Sequence, residues 1–192
     1  MWRLCKPDTG LPVVLAFITS LWLAPVTANE AIDLEGIRFP AQQLTESGTL
    51  KLRGAGILTR GLWFDIYAAA YYAHETQSEG ERLEIHYFVP IEARLIRKAA
   101  EKHLVKQHGA EFLSSIKAGL DRLHDAMVDV NEGDNYALTL HRNRELILEH
   151  NGQVLLRLPE PELAKAYLNL WLGDDPLDDG LRSRLLGHTA DS

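Results

Sequence analysis

Apolar and polar residues alternate with a period of two in several stretches of the chain, the pattern of a strand that buries one face. In 48–54, Leu50 and Leu52 fall on one side and Thr49, Lys51 and Arg53 on the other. In 82–90, Leu83, Ile85, Tyr87 and Val89 alternate with Arg82, Glu84 and His86 until Pro90, which has no N–H to give a ladder, ends the run. Residues 135–142 and 145–150 repeat the pattern, and 151–159 returns through Asn151-Gly152, a pair that tolerates positive φ. These strands read as antiparallel neighbours. Elsewhere the period lengthens to that of a helix. Leu95, Ile96, Ala99, Ala100 and Leu104 make one stripe in 92–106, and Phe112, Leu113, Ile116, Leu120, Leu123 and Met127 make another in 110–127. A third helix, 161–172, opens on Pro161 beside Glu160 and Glu162 and carries Leu163, Tyr167, Leu170 and Trp171 on one side. A short fourth is predicted over 176–186, capped by Asp175 and stopped by Gly187. Strands, two helices, more strands, then two helices make a segregated α+β chain, not a series of βαβ units. Residues 29–47 and 188–192 read as loose ends.

Composition changes this picture mainly at the start of the chain. Arg3 and Lys6 precede the apolar run 11–24, followed by Pro25 and by Val26 and Ala28 as short residues before Asn29. The run is shorter than the ~20 residues a membrane-crossing helix needs, so 1–28 is expected to be a cleaved signal peptide and 29–192 a single domain. No stable membrane span is then expected in the mature chain. Cys5, the only cysteine, lies within 1–28, so the mature chain is expected to hold no thiol. An exported chain without disulfides fits a bacterial periplasm. The net charge of -7 gives no concentrated basic surface, and a nucleic-acid partner is not expected.

Candidate chemistry gathers in "GAGILTRGLWFDIYAAAYYA", residues 54–73, where three glycines, an arginine and a run of aromatics fall in a segment that reads as sheet. A guanidinium can hold a carboxylate bidentately or polarise an enone oxygen, provided it points into a cavity. Arg60 is therefore the candidate anchor, with Trp63, Tyr67 and Tyr71 as candidate ligand-binding aromatics. If catalysis occurs, Arg60 and Tyr67 are its candidates. The bland alternatives are a corner ion pair or solvent for Arg60, and sheet packing for the aromatics. A bulge at Gly61 would turn Arg60 to the side of Trp63, Asp65, Tyr67 and Tyr71, where Asp65 can neutralise it. The 8 histidines show no metal-ligand spacing, and neither a metal nor any other cofactor is expected. Arg94, Arg97, Lys98 and Lys102 read as a solvated basic face, partly offset by Glu92 and Glu101. Hydrolase elbows, phosphate loops and nucleotide fingerprints are missing from the sequence.

Four ordered stretches, "LRGAGILTRGLWFDIYAAAYYA", "GDNYALTL", "NGQVLLRLPEPELAKAYLNLWLGDDP" and the closing "LLG", together resemble the bacterial chalcone isomerase-like proteins over about 36–187. The resemblance implies a curved antiparallel sheet packed against a layer of helices. It also implies one of three functions. Plant members of the family cyclise chalcones, with an arginine early in the corresponding strand and threonine, tyrosine and asparagine side chains. Other relatives keep the arginine and bind fatty acids. The leading expectation is non-catalytic binding of a small apolar ligand such as a fatty acid. The alternatives are an isomerase of the intramolecular lyase type acting on chalcone-like enones, and an envelope interaction module with a filled core whose protein partner the sequence does not name. The relatives' arginine stands two or three residues after the glycine that matches Gly56, which here gives Leu58 or Thr59. Arg60 is thus displaced along the strand, and the threonine has no obvious counterpart in "FDIY".

Overall fold

The computed structural model describes residues 30–46, 48–61, 64–75, 80–142 and 144–188. The expected signal peptide and Cys5 lie outside them. Among the described residues nine strands and four helices follow in the order β1 Ile32–Leu34, β2 Ile37–Phe39, β3 Gln42–Thr45, β4 Gly48–Arg60, β5 Phe64–Ala73, β6 Gly80–Tyr87, α1 Ala93–Ser115, α2 Lys117–Ala126, β7 Asn135–His141, β8 Leu146–His150, β9 Gln153–Leu158, α3 Pro161–Leu172 and α4 Asp179–Leu185. Strands β3 to β9 form one antiparallel sheet in sequence order, so each pairs with its chain neighbour.

The alternation read from the sequence decides which face each side chain meets. Tyr67, Ala69, Tyr71, Leu83, Ile85, Tyr87, Leu138 and Leu148 face the helices, where Leu104, Leu120, Leu163 and Leu170 cover them. On the opposite face Leu50, Leu52, Ala68, Ala70 and Tyr72 are covered by Phe39 from the β1–β2 hairpin. This hairpin overturns the expectation that 29–47 is loose. Its turn is built by Glu35 and Gly36, both at positive φ (46° and 82°), and Phe39 is fully buried.

Two helix boundaries also differ from the sequence reading. The chain leaves helical geometry at Gly109 (φ 82°), between the two apolar stripes as read, and breaks a second time at Ile116, which divides the second stripe between α1 and α2. Helix α4 begins three residues later than expected because Leu177 N–H turns back to Leu170 C=O at 2.7 Å. Asp178, not Asp175, is its cap, accepting from Leu181 N–H at 2.6 Å, while Asp175 binds Lys106 Nζ at 2.7 Å.

The Gly-x-Gly of β4 serves this last helix. A Cβ on Gly54 would stand 2.0 Å from Arg184 C=O and 2.8 Å from Leu185 C=O, and one on Gly56 would stand 2.6 Å from Arg184 Nε. With no side chains there, the end of α4 lies on the strand, and Arg184 Nη2 donates to Ile57 C=O at 2.8 Å. The docking fixes the residues just before α4, Leu177 and Asp178, against the end of the sheet.

Candidate functional site

A cavity of about 480 Å³ opens between the sheet and the helices. Its walls come from the last residues of β4 (Leu58, Thr59, Arg60), the first of β5 (Ile66, Tyr67), Tyr87 at the end of β6, the first turns of α1, and Tyr167, Leu170 and Trp171 of α3, with Leu177 and Asp178 closing one side. Arg60, Leu95 and Leu177 are exposed and mark its mouth, whereas Tyr67, Tyr87, Tyr167 and Leu170 are buried and make its interior. A smaller apolar space of about 30 Å³ lies deeper, bounded by Met127, Leu138 and Leu148 and sharing Tyr87, Ile96, Tyr167 and Trp171 with the first. The volume falls within the ~300–1,000 Å³ of ordinary small-molecule sites. A module with a filled core does not fit it.

The mouth owes its arrangement to a bulge, though not the one expected at Gly61. Leu58 pairs with Tyr67 but Thr59 pairs with Asp65, which leaves Ile66 as the extra residue. Leu58, Arg60, Ile66 and Tyr67 thereby all reach the same cavity. Asp65 is not a neutraliser of Arg60, since its Oδ1 accepts from Thr59 Oγ1 at 2.6 Å. Among the described residues Arg60 has no ion pair. Its positive field nevertheless reaches Tyr67, where it opposes the rise of the phenol pKa.

Tyr67 is 7% exposed, and its Oη accepts from Trp171 Nε1 at 2.8 Å. The indole holds the phenol by its acceptor side and leaves the O–H free to donate. Burial raises the Tyr67 pKa to about 12, against the lowering by Trp171, with Asp178 adding to the rise. The group is therefore a neutral donor at ordinary pH, suited to a carboxylate or carbonyl oxygen. Tyr87 and Tyr167 are likewise held well above the usual phenol range, first by burial. Their rings continue an aromatic wall, Tyr67 to Tyr87 at 5.8 Å and Tyr167 to Trp171 at 6.4 Å between centroids.

Of the residues singled out in the sequence, Arg60 and Tyr67 meet at the cavity. Tyr71 faces the helices but is not a lining residue: its pleat carries it past the cavity, and its hydroxyl donates to Glu81 Oε2 at 3.1 Å. Trp63 lies outside the described residues. Sequence reasoning did not connect Trp171 or Tyr87 with Arg60. The available signals were weak: Tyr87 is an inward position just before Pro90, and Tyr167 and Trp171 stand one helical turn apart on the apolar side of α3.

A groove of similar volume, about 460 Å³, lies on the other face of the sheet. Its arginines are already committed, Arg82 to Glu149 and Arg157 to Glu46 and Glu145, so it offers no free charge comparable to Arg60. The site between sheet and helices is the better candidate.

The sequence profile of the chalcone isomerase-like family matches residues 31–187. No curated protein matches the sequence. In structure the chain is similar to a fatty-acid binding protein of Arabidopsis thaliana, with a TM-score of 0.63 at 18% identity over 82% of this chain and 96% of that one. The shared architecture is the α+β arrangement of an antiparallel sheet and a helical layer expected from the sequence.

Proposed function

This chain belongs to the chalcone isomerase-like family, and we propose that it binds a long-chain carboxylic acid of the fatty-acid type without transforming it. The observation that carries the reading is an apolar cavity with an uncompensated guanidinium at its mouth and a buried neutral phenol donor beside it. Arg60 and Tyr67 O–H hold the carboxylate, and the chain lies along Ile96, Tyr87 and Trp171 toward Met127 and Leu148. A guanidinium held over a carboxylate gives the strong, oriented contact, while the apolar wall supplies affinity in proportion to the area buried. The fatty-acid binding protein that shares the fold gives the reading support from a second direction.

The test has two parts. The purified protein is extracted and the extract analysed by mass spectrometry, and the delipidated protein is then titrated with fatty acids and their methyl esters, read by tryptophan fluorescence and thermal shift. Fatty acid in the extract is expected, together with binding that weakens about ten- to hundredfold in the ester and in Arg60→Gln. An extract without lipid and no thermal shift from any fatty acid would remove the proposal. We also propose, as a separate reading of the sequence, that the mature chain resides in a bacterial periplasm, supported by Arg3, Lys6, the apolar run 11–24 and Ala28. N-terminal sequencing of protein from the periplasmic fraction is expected to begin at Asn29. A chain beginning at Met1 would overturn the cleavage.

A further inference from the structure

We propose that the cavity selects a ligand carrying a second oxygen, keto or hydroxyl, along its chain, and that Tyr87 O–H donates to it. This inference rests on the fatty-acid reading above and narrows its ligand to an oxygenated long-chain acid. Four phenols gather around the cavity and the deeper space behind it, and three of their hydroxyls are engaged. Tyr67 Oη accepts from Trp171 Nε1 at 2.8 Å, Tyr136 Oη accepts from Val128 N–H at 2.8 Å and donates to Val128 C=O at 2.7 Å, and Tyr167 Oη meets His124 Nε2 at 3.4 Å. Tyr87 is the exception. It is 5% exposed, and its hydroxyl has no hydrogen-bond partner among the described residues. Buried hydroxyls are nearly always partnered, and one left alone is costly.

The place of Tyr87 in the fold sets the depth of that second oxygen. Tyr87 stands directly opposite Tyr67 in the β5–β6 ladder, and its ring meets those of Tyr67 and Tyr136 edge-on at 5.8 and 6.2 Å. Its main chain is fixed as well, the N–H donating to Asp134 C=O at 2.9 Å and the C=O accepting from Gly133 N–H at 2.8 Å. Tyr87 lines both the cavity and the deeper space, whereas Tyr67 lines the cavity alone. Its hydroxyl therefore belongs to the passage between the two, inward of a carboxylate held at Arg60 and Tyr67. The electrostatics agree: the guanidinium is felt at Tyr67, while Tyr87 is raised first by burial and then by Tyr67, Tyr136 and Tyr167. The phenol keeps its proton at ordinary pH and so remains a donor. A plain methylene chain passing here would cover the hydroxyl without satisfying it, whereas a keto or hydroxyl oxygen at that depth accepts its proton. Sites built around a hydrogen bond reject the analogue that lacks the partner for this reason. Beyond the passage Met127, Leu138 and Leu148 offer only apolar surface, so the oxygen is wanted at one depth and the rest of the chain remains hydrocarbon.

The test uses the delipidated full chain, titrated calorimetrically with palmitic acid and with positional series of its oxo and hydroxy derivatives. At least one position is expected to bind about tenfold tighter than palmitic acid itself, and the two series decide which kind of oxygen is taken. Tyr87→Phe is expected to invert the order, binding palmitic acid more tightly than the parent does and losing the advantage of the oxygenated acid; its thermal melt checks the fold. For the preferred oxo acid, difference infrared spectra should show the bound keto stretch at lower frequency in the parent than in Tyr87→Phe. A series in which no isomer binds tighter than palmitic acid, an advantage that survives Tyr87→Phe, or a keto stretch that is the same in both proteins would each overturn the proposal and leave the hydroxyl to water. Palmitic acid bound through Arg60 with no gain from a second oxygen refutes this inference alone. A preference that depends on Tyr87, with binding unchanged in the methyl esters and in Arg60→Gln, refutes the carboxylate reading alone, and no binding of any acid overturns both.

Discussion

Replacing Gly54 by alanine tests whether the Gly-x-Gly of β4 is a platform for α4 or a feature of the ligand site. The added Cβ would lie 2.0 Å from Arg184 C=O, 2.8 Å from Leu185 C=O and 2.9 Å from Gly187 N, where 3.4 Å is the start of ordinary contact. All three obstacles are backbone, so no side chain can swing aside. The end of α4 must retreat by more than about 1 Å, loosening Leu181 and Leu185, which are 1% and 0% exposed. Overpacking of this kind costs about 1–3 kcal/mol, and a clash with backbone on every side belongs at the upper end. At roughly 2–4 °C per kcal/mol for a chain of this size, Tm should fall by about 6–12 °C. Circular dichroism melting reads it directly. Gly180→Ala is the control within the same helix: its Cβ meets only the side-chain ends of Asp178 and Arg184, at 3.3 and 3.4 Å, so the substitution is expected to be close to neutral. Because Leu177 and Asp178 precede α4 and line the cavity, Gly54→Ala should also weaken fatty-acid binding. A Gly54→Ala protein melting within about 2 °C of the parent would show that the helix does not rest on the strand as described.

Two further outcomes follow from the site and its surroundings. In a series of saturated fatty acids each added methylene should tighten binding by about fourfold, from about 0.8 kcal/mol per buried CH₂, until the chain end meets Leu148 and Met127; isothermal titration showing no dependence on length would refute the buried tail. His124 is held neutral, its pKa lowered from 6.5 chiefly by burial. The unfolded chain therefore takes up a proton first, and stability should decline as pH falls below about 6.5 toward the depressed folded value. Denaturant melts from pH 7 to 5 should show this limb in the parent and a flatter one in His124→Gln; identical slopes would assign the acid sensitivity to other groups.

The sheet was legible because each strand buries one face and so writes its register into the alternation: Leu83, Ile85 and Tyr87 face the helices as read, and Arg82, Glu84 and His86 face away. The β1–β2 hairpin was missed because three-residue strands are too short to show a period, and Phe39 is buried by tertiary packing alone. At the site, Arg60 and Tyr67 could be chosen from residue chemistry. Their partners could not, since Tyr67 and Trp171 are brought to 2.8 Å across 104 residues by a meander and a helical layer that no local pattern encodes. The bulge that aims Arg60 was placed at Gly61, where a glycine invites one. It lies at Ile66, a residue whose sequence gives no such signal, and only the cross-strand register reveals it. Tyr71 was chosen by the same reasoning as Tyr67 and shares its face, yet four residues of strand are enough to carry it from the cavity to Glu81.

The displaced arginine also bears on whether the cavity can catalyse the cyclisation known in plant relatives. An electrophile that stabilises an enolate must be fixed in place before the charge develops, because its contribution comes from not having to reorganise. Arg60 is exposed and has no ion pair among the described residues to orient it, while Leu58, one of the two positions that the resemblance matches to the relatives' arginine, puts an apolar side chain against Tyr67. The threonine of those relatives is not replaced by Thr59, whose hydroxyl is spent on Asp65. An unpaired guanidinium is no handicap to a binding protein, which needs only that the cation find the carboxylate of a ligand already held by its tail. Chalcone cyclisation followed by absorbance should therefore proceed at the buffer rate, with the parent and Arg60→Ala indistinguishable, while the same substitution weakens fatty-acid binding. A rate above buffer that Arg60→Ala abolishes would show that the guanidinium is ordered by the substrate itself, and the catalytic reading would then replace the carrier.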